Sequence, residues 1–202
     1  MLTYTLLLSA LASGSAFSST GFILSNALKT SSSSKMAAVV VRFKAGDALP
    51  DVKLTEVTNF AKQEYCLAEY CKDKSVVIFA VPGAFTPGCS KSHLPSFVNN
   101  ADALFKKGID SIICVATNDA YVMEGWGKDQ KVGGKILMLS DGDAKLTTAL
   151  GVRMESDVMV RSERYAMVVK DNKIQQVFFP TENDDGSKDS APTYGDFVLK
   201  SL

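Results

Sequence analysis

The chain has 202 residues, with 22 Lys and Arg against 22 Asp and Glu, 46% hydrophobic residues, four cysteines and one histidine. That is one globular domain of ordinary size, able to bury a full core without disulfide staples, and its zero formal charge argues against a basic stripe that would neutralise nucleic-acid phosphates. Four cysteines without a CxxC pair, beside a lone histidine, also argue against structural zinc, which gathers four Cys or His ligands.

Residues 1–35 differ from the rest: they hold no Asp or Glu and only Lys29 and Lys35 as basic residues. Leu2–Leu11 is almost wholly apolar and gives way to small residues at Ala12–Ala16, which are parts of a secretory signal peptide. At about ten residues this stretch is too short to remain as a membrane-spanning helix. Phe17–Lys35, rich in serine and free of acids, has the character of a transit peptide. Signal followed by transit resembles the bipartite plastid presequence of algae with secondary plastids, and Ser15-Ala16-Phe17 is similar to the junction at which such signals are cut. The expectation is plastid import, with residues 1–35 removed or left outside the fold and 36–202 forming the domain, without a membrane segment in its mature form; a plain secretory signal is the alternative. Without those two lysines, 20 basic residues face 22 acidic ones, so the domain carries about −2 and the conclusion on nucleic acid stands.

From Met36 onward, short runs rich in Val, Ile and Phe predict strands at Val39–Phe43, Ser75–Val81, Ser111–Thr117, Lys135–Leu139, Tyr165–Val169 and Lys173–Phe179. Helices are predicted over Cys89–Lys107, Asp119–Asp129, Ala144–Leu150 and Thr193–Leu202. The strands at 75–81 and 111–117, flanking a long helix, predict a βαβ unit with a parallel sheet buried on both faces. The last two strands, joined through Lys170-Asp171-Asn172, predict an antiparallel hairpin. A βαβ unit followed by ββα is the α/β arrangement of the thioredoxin fold, a mixed central sheet flanked by helices.

The most informative segment is Val81-Pro82-Gly83-Ala84-Phe85-Thr86-Pro87-Gly88-Cys89-Ser90, which leaves an apolar strand and turns into a helix at Cys89. A cysteine in the first turn of a helix meets unpaired N–H groups and the positive end of the dipole, which stabilise a thiolate, the nucleophilic form. Thr86, in a loop bracketed by Pro82 and Pro87, can hold a hydroxyl beside that sulfur, donating and accepting hydrogen bonds as a bound hydroperoxide requires. The prolines set the loop before substrate arrives. The plainer reading of any free cysteine is a small apolar filler.

The run Val81–Leu94 resembles the active-site signature of the type II, peroxiredoxin-five-like group of thiol peroxidases and contains the superfamily's Pro-x-x-x-Thr-x-x-Cys pattern as Pro82, Thr86 and Cys89. Gly88 departs from the threonine commonest there. The likeness extends over roughly 43–179: Ile112–Met123 with Trp126-Gly127 is similar to the family's second strand, its Asn-Asp turn and its tryptophan helix, and Arg164–Val169 to the strand bearing its active-site arginine. The resemblance implies a peroxidase that reduces hydrogen peroxide and alkyl hydroperoxides through a sulfenic acid on Cys89, needing no metal, haem or flavin. Thr86 positions the peroxide, Arg164 stabilises charge, and Pro82 shields the sulfur; Arg161 is the alternative holder of the arginine role. It further implies regeneration by glutathione with glutaredoxin or by thioredoxin, a role in redox homeostasis, and a homodimer formed through faces near the active-site loops.

Cys114 lies inside an apolar strand, where a core cysteine is the plain reading, although plant members of the group carry a resolving cysteine in the same Ile-Ile-Cys setting. A bond from Cys89 to Cys114 would require the first helical turn to unwind. Cys66 and Cys71, in a segment without a recognised counterpart, are expected to be solvent-exposed bystanders. His93, four residues after Cys89, allows a Cys–His hydrolase pair, but the family pattern accounts for it as part of the helix. Gly125, Gly127, Gly133 and Gly134 do not follow a strand in GxGxxG order, so no dinucleotide site is indicated. A second functional reading is a non-catalytic thioredoxin-fold module serving as redox sensor or holdase.

Overall fold

A computed structural model describes residues 41–154, 156, 158–183 and 187–202. The predicted presequence, 1–35, therefore lies outside the described residues. In chain order the domain begins with β1 (Lys53–Thr58), β2 (Ala61–Cys66), α1 (Leu67–Cys71) and β3 (Ser75–Ala80). A π-helical turn (Cys89–His93) runs into α2 (Leu94–Lys106), followed by β4 (Ser111–Ala116), α3 (Ala120–Asp129), β5 (Leu137–Ser140) and α4 (Lys145–Ala149). Two short strands, β6 (Arg153–Met154) and β7 (Arg161–Ser162), precede β8 (Tyr165–Lys170) and β9 (Lys173–Phe178); β10 (Thr181–Glu182), β11 (Lys188–Asp189), a 3-10 turn (Ala191–Thr193) and α5 (Gly195–Ser201) close the chain.

Seven strands form one mixed sheet in the order β2-β1-β5-β4-β3-β8-β9. The central pairs β3–β4 and β4–β5 are parallel, and β8 lies antiparallel to β3, which is the predicted βαβ unit followed by a hairpin. That hairpin turns on Asp171-Asn172 alone, both at positive φ, the two-residue geometry that suits the strand twist. Because side chains alternate along a strand, β3 and β4 feed two cores. Val77, Phe79, Ile112, Cys114 and Ala116 pack with α2, α3 and α5 in the core that also holds Cys89. Val76, Ile78, Ile113 and Val115 pack on the opposite face with Leu67, Cys71 and Phe43.

Beyond the short elements α1, β6, β7, β10 and β11, which have no predicted counterpart, the prediction departs from the structure in four places. Val41–Phe43 is not a strand: Phe43 is buried as a single ring, and its N–H donates to the Leu150 carbonyl. The β1–β2 hairpin has no predicted counterpart, because β2 (AKQEYC) is a mostly exposed edge strand without an apolar face, and its turn is Asn59-Phe60 at positive φ with no glycine to mark it. Cys71 is not an exposed bystander but a fully buried residue of α1, and burial pushes its thiol up to about 12. Cys66 is partly buried, and its Sγ donates to Asp51 Oδ1 at 2.8 Å.

The fourth departure bears on the site. The predicted helix from Cys89 starts as a π turn, with Leu94 N–H donating to the Cys89 carbonyl five residues back. Pro95 explains it: proline lacks the N–H that an α-turn would direct to the carbonyl of Lys91, and its ring would collide with that carbonyl, so the preceding turn widens. Nearby, Asp119 caps α3, its Oδ1 accepting from the N–H groups of Tyr121 and Val122 at 2.9 and 3.0 Å, which contributes about 1 kcal/mol.

Candidate active site

The loop between β3 and the π turn is held from outside at two backbone positions. Arg161, presented by β7, donates from Nη1 to the Pro82 carbonyl at 2.8 Å, and Ala84 N–H donates to Asn118 Oδ1 at 2.9 Å. A Cβ at Gly83 would displace Arg161 Nη1 from this seat, so the glycine leaves room for the arginine to reach the Pro82 carbonyl. Phe85 sits at the loop's apex with φ 60° and 56% exposure, a conformation a bulky residue adopts only when its surroundings impose it. Helical backbone begins at Pro87, so Cys89 lies in the first turn as predicted.

Cys89 is fully buried, with its Sγ 3.3 Å from Arg164 Nη2, which donates to it. The other arm of the guanidinium, Nη1, donates to His93 Nδ1 at 2.6 Å. Arg164 stands in the link just before β8, which pairs with β3, the strand that launches the loop to Cys89. The two candidate arginines are thus sorted by geometry: Arg164 meets the sulfur, and Arg161 meets the loop backbone. Thr86 donates its hydroxyl proton to the Gly83 carbonyl at 2.8 Å rather than to the sulfur, which leaves the oxygen lone pairs as acceptors. At Gly88 a side chain would meet Arg164 Nη2 at 3.5 Å, ordinary contact, so the glycine disturbs nothing. Trp126 Nε1 donates to Ser90 Oγ at 3.0 Å and ties α3 to the π turn.

His93 is fully buried with both ring nitrogens engaged, Nδ1 by Arg164 and Nε2 by the Thr193 carbonyl at 2.9 Å. Burial, with the guanidinium beside it, holds its pKa down to about 3. No nitrogen is left to take a proton from Cys89, which argues against the Cys–His hydrolase pair, in line with the expectation from sequence. The residue instead supports Arg164, a role that a single polar residue in a helical pattern did not disclose. Cys114 is also fully buried, paired in register with Phe79 and Met138 and on the sheet face that packs against Cys89. Burial first, and the nearby Cys89 second, push its thiol well above the ordinary range, against the opposing pull of Arg164. A cavity of about 350 Å³ opens beside Pro82 and Arg164, walled by Met154, Pro180 and Lys188. A second, of about 420 Å³ between β1 and α3, touches none of these residues. Among the described residues no three His, Cys, Asp or Glu side chains converge as metal ligands, and no helix is long and apolar enough to cross a membrane.

The site is thus a buried cysteine under an arginine fork, at the start of a helix launched from a mixed sheet of thioredoxin type. The redoxin family model matches residues 44–194. The chain is 43% identical over 145 residues to "Peroxiredoxin-2E-2, chloroplastic" of Oryza sativa subsp. japonica, an alignment covering 68% of this chain and 64% of that protein. It is 33% identical over 161 residues to "Peroxiredoxin-2B" of Arabidopsis thaliana, covering 78% and 96%. The chain belongs to the redoxin family and is a type II peroxiredoxin of plant type. As a peroxiredoxin it spans less than two thirds of the rice relative's length. Its fold superposes on the crystal structure of reduced Prx3 in complex with H2O2 from Vibrio vulnificus with a TM-score of 0.70 at 37% identity, covering 79% of this chain and 98% of that one.

Proposed function

We propose that this peroxiredoxin is a thiol-dependent peroxidase for hydrogen peroxide and alkyl hydroperoxides, and the observation that carries the proposal is Arg164 Nη2 donating to Cys89 Sγ at 3.3 Å. The Cys89 thiolate attacks one oxygen of ROOH in line with the O–O bond. The S–O bond forms as the O–O bond breaks, leaving Cys89 as sulfenic acid and releasing RO⁻, which takes a proton to leave as ROH. Arg164 provides positive charge where the sulfur's charge passes to the leaving oxygen. Thr86 Oγ1 accepts a hydrogen bond from the peroxide hydroxyl, whose proton stays on the oxygen that passes to sulfur, and Pro82 walls the approach from the neighbouring cavity. The Vibrio relative crystallised with hydrogen peroxide supports this choice of substrate.

A thiol then condenses with the sulfenic acid, giving a disulfide and water. Cys114 is our candidate for that thiol, because it belongs to the same packed cluster as Cys89; external glutathione with glutaredoxin is the other route. The test is peroxide turnover by the wild type and by Cys114→Ser, each with thioredoxin and with glutathione plus glutaredoxin. Wild type should turn over, and Cys114→Ser should lose at least tenfold with thioredoxin while keeping its glutaredoxin-supported rate. Equal rates of the two proteins with thioredoxin would remove Cys114 from the cycle, and no turnover with either reductant would remove the function. The same preparation should sediment at twice the monomer mass, consistent with exposed Phe85 lying in a dimer face.

We further infer that residues 1–35 direct import into a plastid and that the domain functions there, a reading supported by the chloroplastic rice relative. A fluorescent protein fused after residue 35 should accumulate inside plastids of an alga with secondary plastids. Secretion of the fusion would overturn this.

A further inference from the structure

We infer that the C-terminal segment sets the reactivity of Cys89 through a relay of hydrogen bonds, from the Thr193 carbonyl to His93 to Arg164 to the sulfur, in which His93 is a positioning residue. The activity arm rests on the peroxidase reading above; the relay itself is tested independently.

The partners dictate the proton positions. The Thr193 carbonyl can only accept, so His93 Nε2 carries a hydrogen. A guanidinium can only donate, so His93 Nδ1 is a bare lone pair. The ring is therefore one neutral tautomer with both nitrogens satisfied, and protonating it would turn Nδ1 into a donor facing a cation. Because the guanidinium is a planar, rigid fork, fixing Nη1 on His93 also fixes the direction of Nη2, the arm that meets Cys89. The ring is walled by Phe79 from β3, Phe97 from α2 and Tyr194 from the C-terminal segment, with centroids 5.1, 5.6 and 5.5 Å away. The charged or titratable groups facing it are Arg164 from the β7–β8 link, Cys89 from its own turn and the Tyr194 phenol.

What places the Thr193 carbonyl is the seating of the C-terminal segment on α2. Gly195 N–H donates to Ser96 Oγ at 2.8 Å, and Ser96 Oγ donates to the His93 carbonyl at 2.6 Å. A Cβ on Gly195 would lie 2.6 Å from the Ser96 carbonyl oxygen and 2.9 Å from Phe97 Cα, contacts with backbone that cannot yield. Gly195→Ala therefore unseats the segment without replacing any residue of the relay.

His93 is the chain's single histidine, so its nitrogen resonances are unambiguous. In the wild type, long-range 1H–15N NMR should show the Nε2–H tautomer, neutral at pH 5 and below. In Gly195→Ala the ring should gain water and titrate above its wild-type value, while Arg164 still holds it below the ordinary imidazole value of about 6.5. The rate of Cys89 oxidation by hydrogen peroxide should fall about tenfold, and fall further as pH drops through that new value, because an imidazolium repels the guanidinium. His93→Asn supplies an acceptor to Arg164 without reaching Thr193. In that background, adding Gly195→Ala should change the rate less than twofold. A tenfold loss in both backgrounds, an Nδ1–H tautomer, or a wild-type ring titrating near 6.5 would each overturn the relay. If Gly195→Ala does not fold, Ser96→Ala, which removes only the anchoring hydroxyl, should move the titration and the rate in the same directions. Should wild-type Cys89 fail to react with peroxide, the peroxidase reading falls while the NMR result still decides the relay.

Discussion

Cys89→Ser should consume hydrogen peroxide no faster than buffer, with every thiol reductant. A serine hydroxyl stays protonated at neutral pH and its oxygen is a poor nucleophile toward the O–O bond, whereas the thiolate attacks it readily. The substitution is nearly isosteric, and the new hydroxyl still accepts from Arg164 Nη2, so the fully buried site keeps its hydrogen bond. The stability cost should be about 1 kcal/mol, a shift of a few degrees in melting temperature. Peroxide consumption is followed by absorbance, and folding by circular dichroism on the same sample. Turnover within tenfold of wild type by a folded Cys89→Ser protein would sink the assignment of Cys89 and with it the mechanism.

Arg164→Gln should slow formation of the sulfenic acid by about 10² to 10³, the size of effect seen when one preorganised donor to a developing charge is removed. Glutamine loses the cation, and it is too short to span from His93 Nδ1 to Cys89 Sγ as the guanidinium does. It also leaves a buried imidazole lone pair without a donor, which costs about 1 to 3 kcal/mol of stability. Stopped-flow measurement of the first turnover isolates the chemical step from reductant binding. Arg161→Gln is the informative contrast. Its guanidinium holds the Pro82 carbonyl and not the sulfur, so its loss should cost clearly less. A rate for Arg164→Gln within tenfold of wild type, or below-background sensitivity to which arginine is changed, would show that the fork does not act on the reacting atoms.

The central strands and the turn into the helix at Cys89 were legible because they are written in apolar β-branched runs and in a dense Pro-Gly-Thr-Cys pattern whose signals are local. Arg164 was legible only through family resemblance, since strand position alone left Arg161 open. What stayed hidden had no side-chain signal to read. The partner that fixes His93 is a main-chain carbonyl at Thr193, about a hundred residues away in sequence, and a carbonyl has the same chemistry at every position. The strand β2 is mostly polar because it lies at the sheet edge, outside either core, so periodicity could not reveal it. Cys71 was misread because its burial comes from how α1 folds back under the sheet, and only Leu67 accompanies it as a buried residue of that short helix. Pro95 did carry a signal: a proline seven positions into a predicted helix demands an irregular turn before it, and the π turn supplies one.

That proline also divides the helix mechanically. Residue 95 has no N–H with which to bind back into the turn before it, so fewer hydrogen bonds join the Cys89–His93 turn to α2 than join successive turns elsewhere. The turn and the helix are then separate units of local opening, each with its own free energy. Cys89 can be carried out of its buried seat by melting one turn, while the thirteen residues of α2 keep their grip on the sheet and on α5. The sulfur is thus mounted on a single five-residue turn, set apart by a proline from the longer helix that anchors it to the sheet.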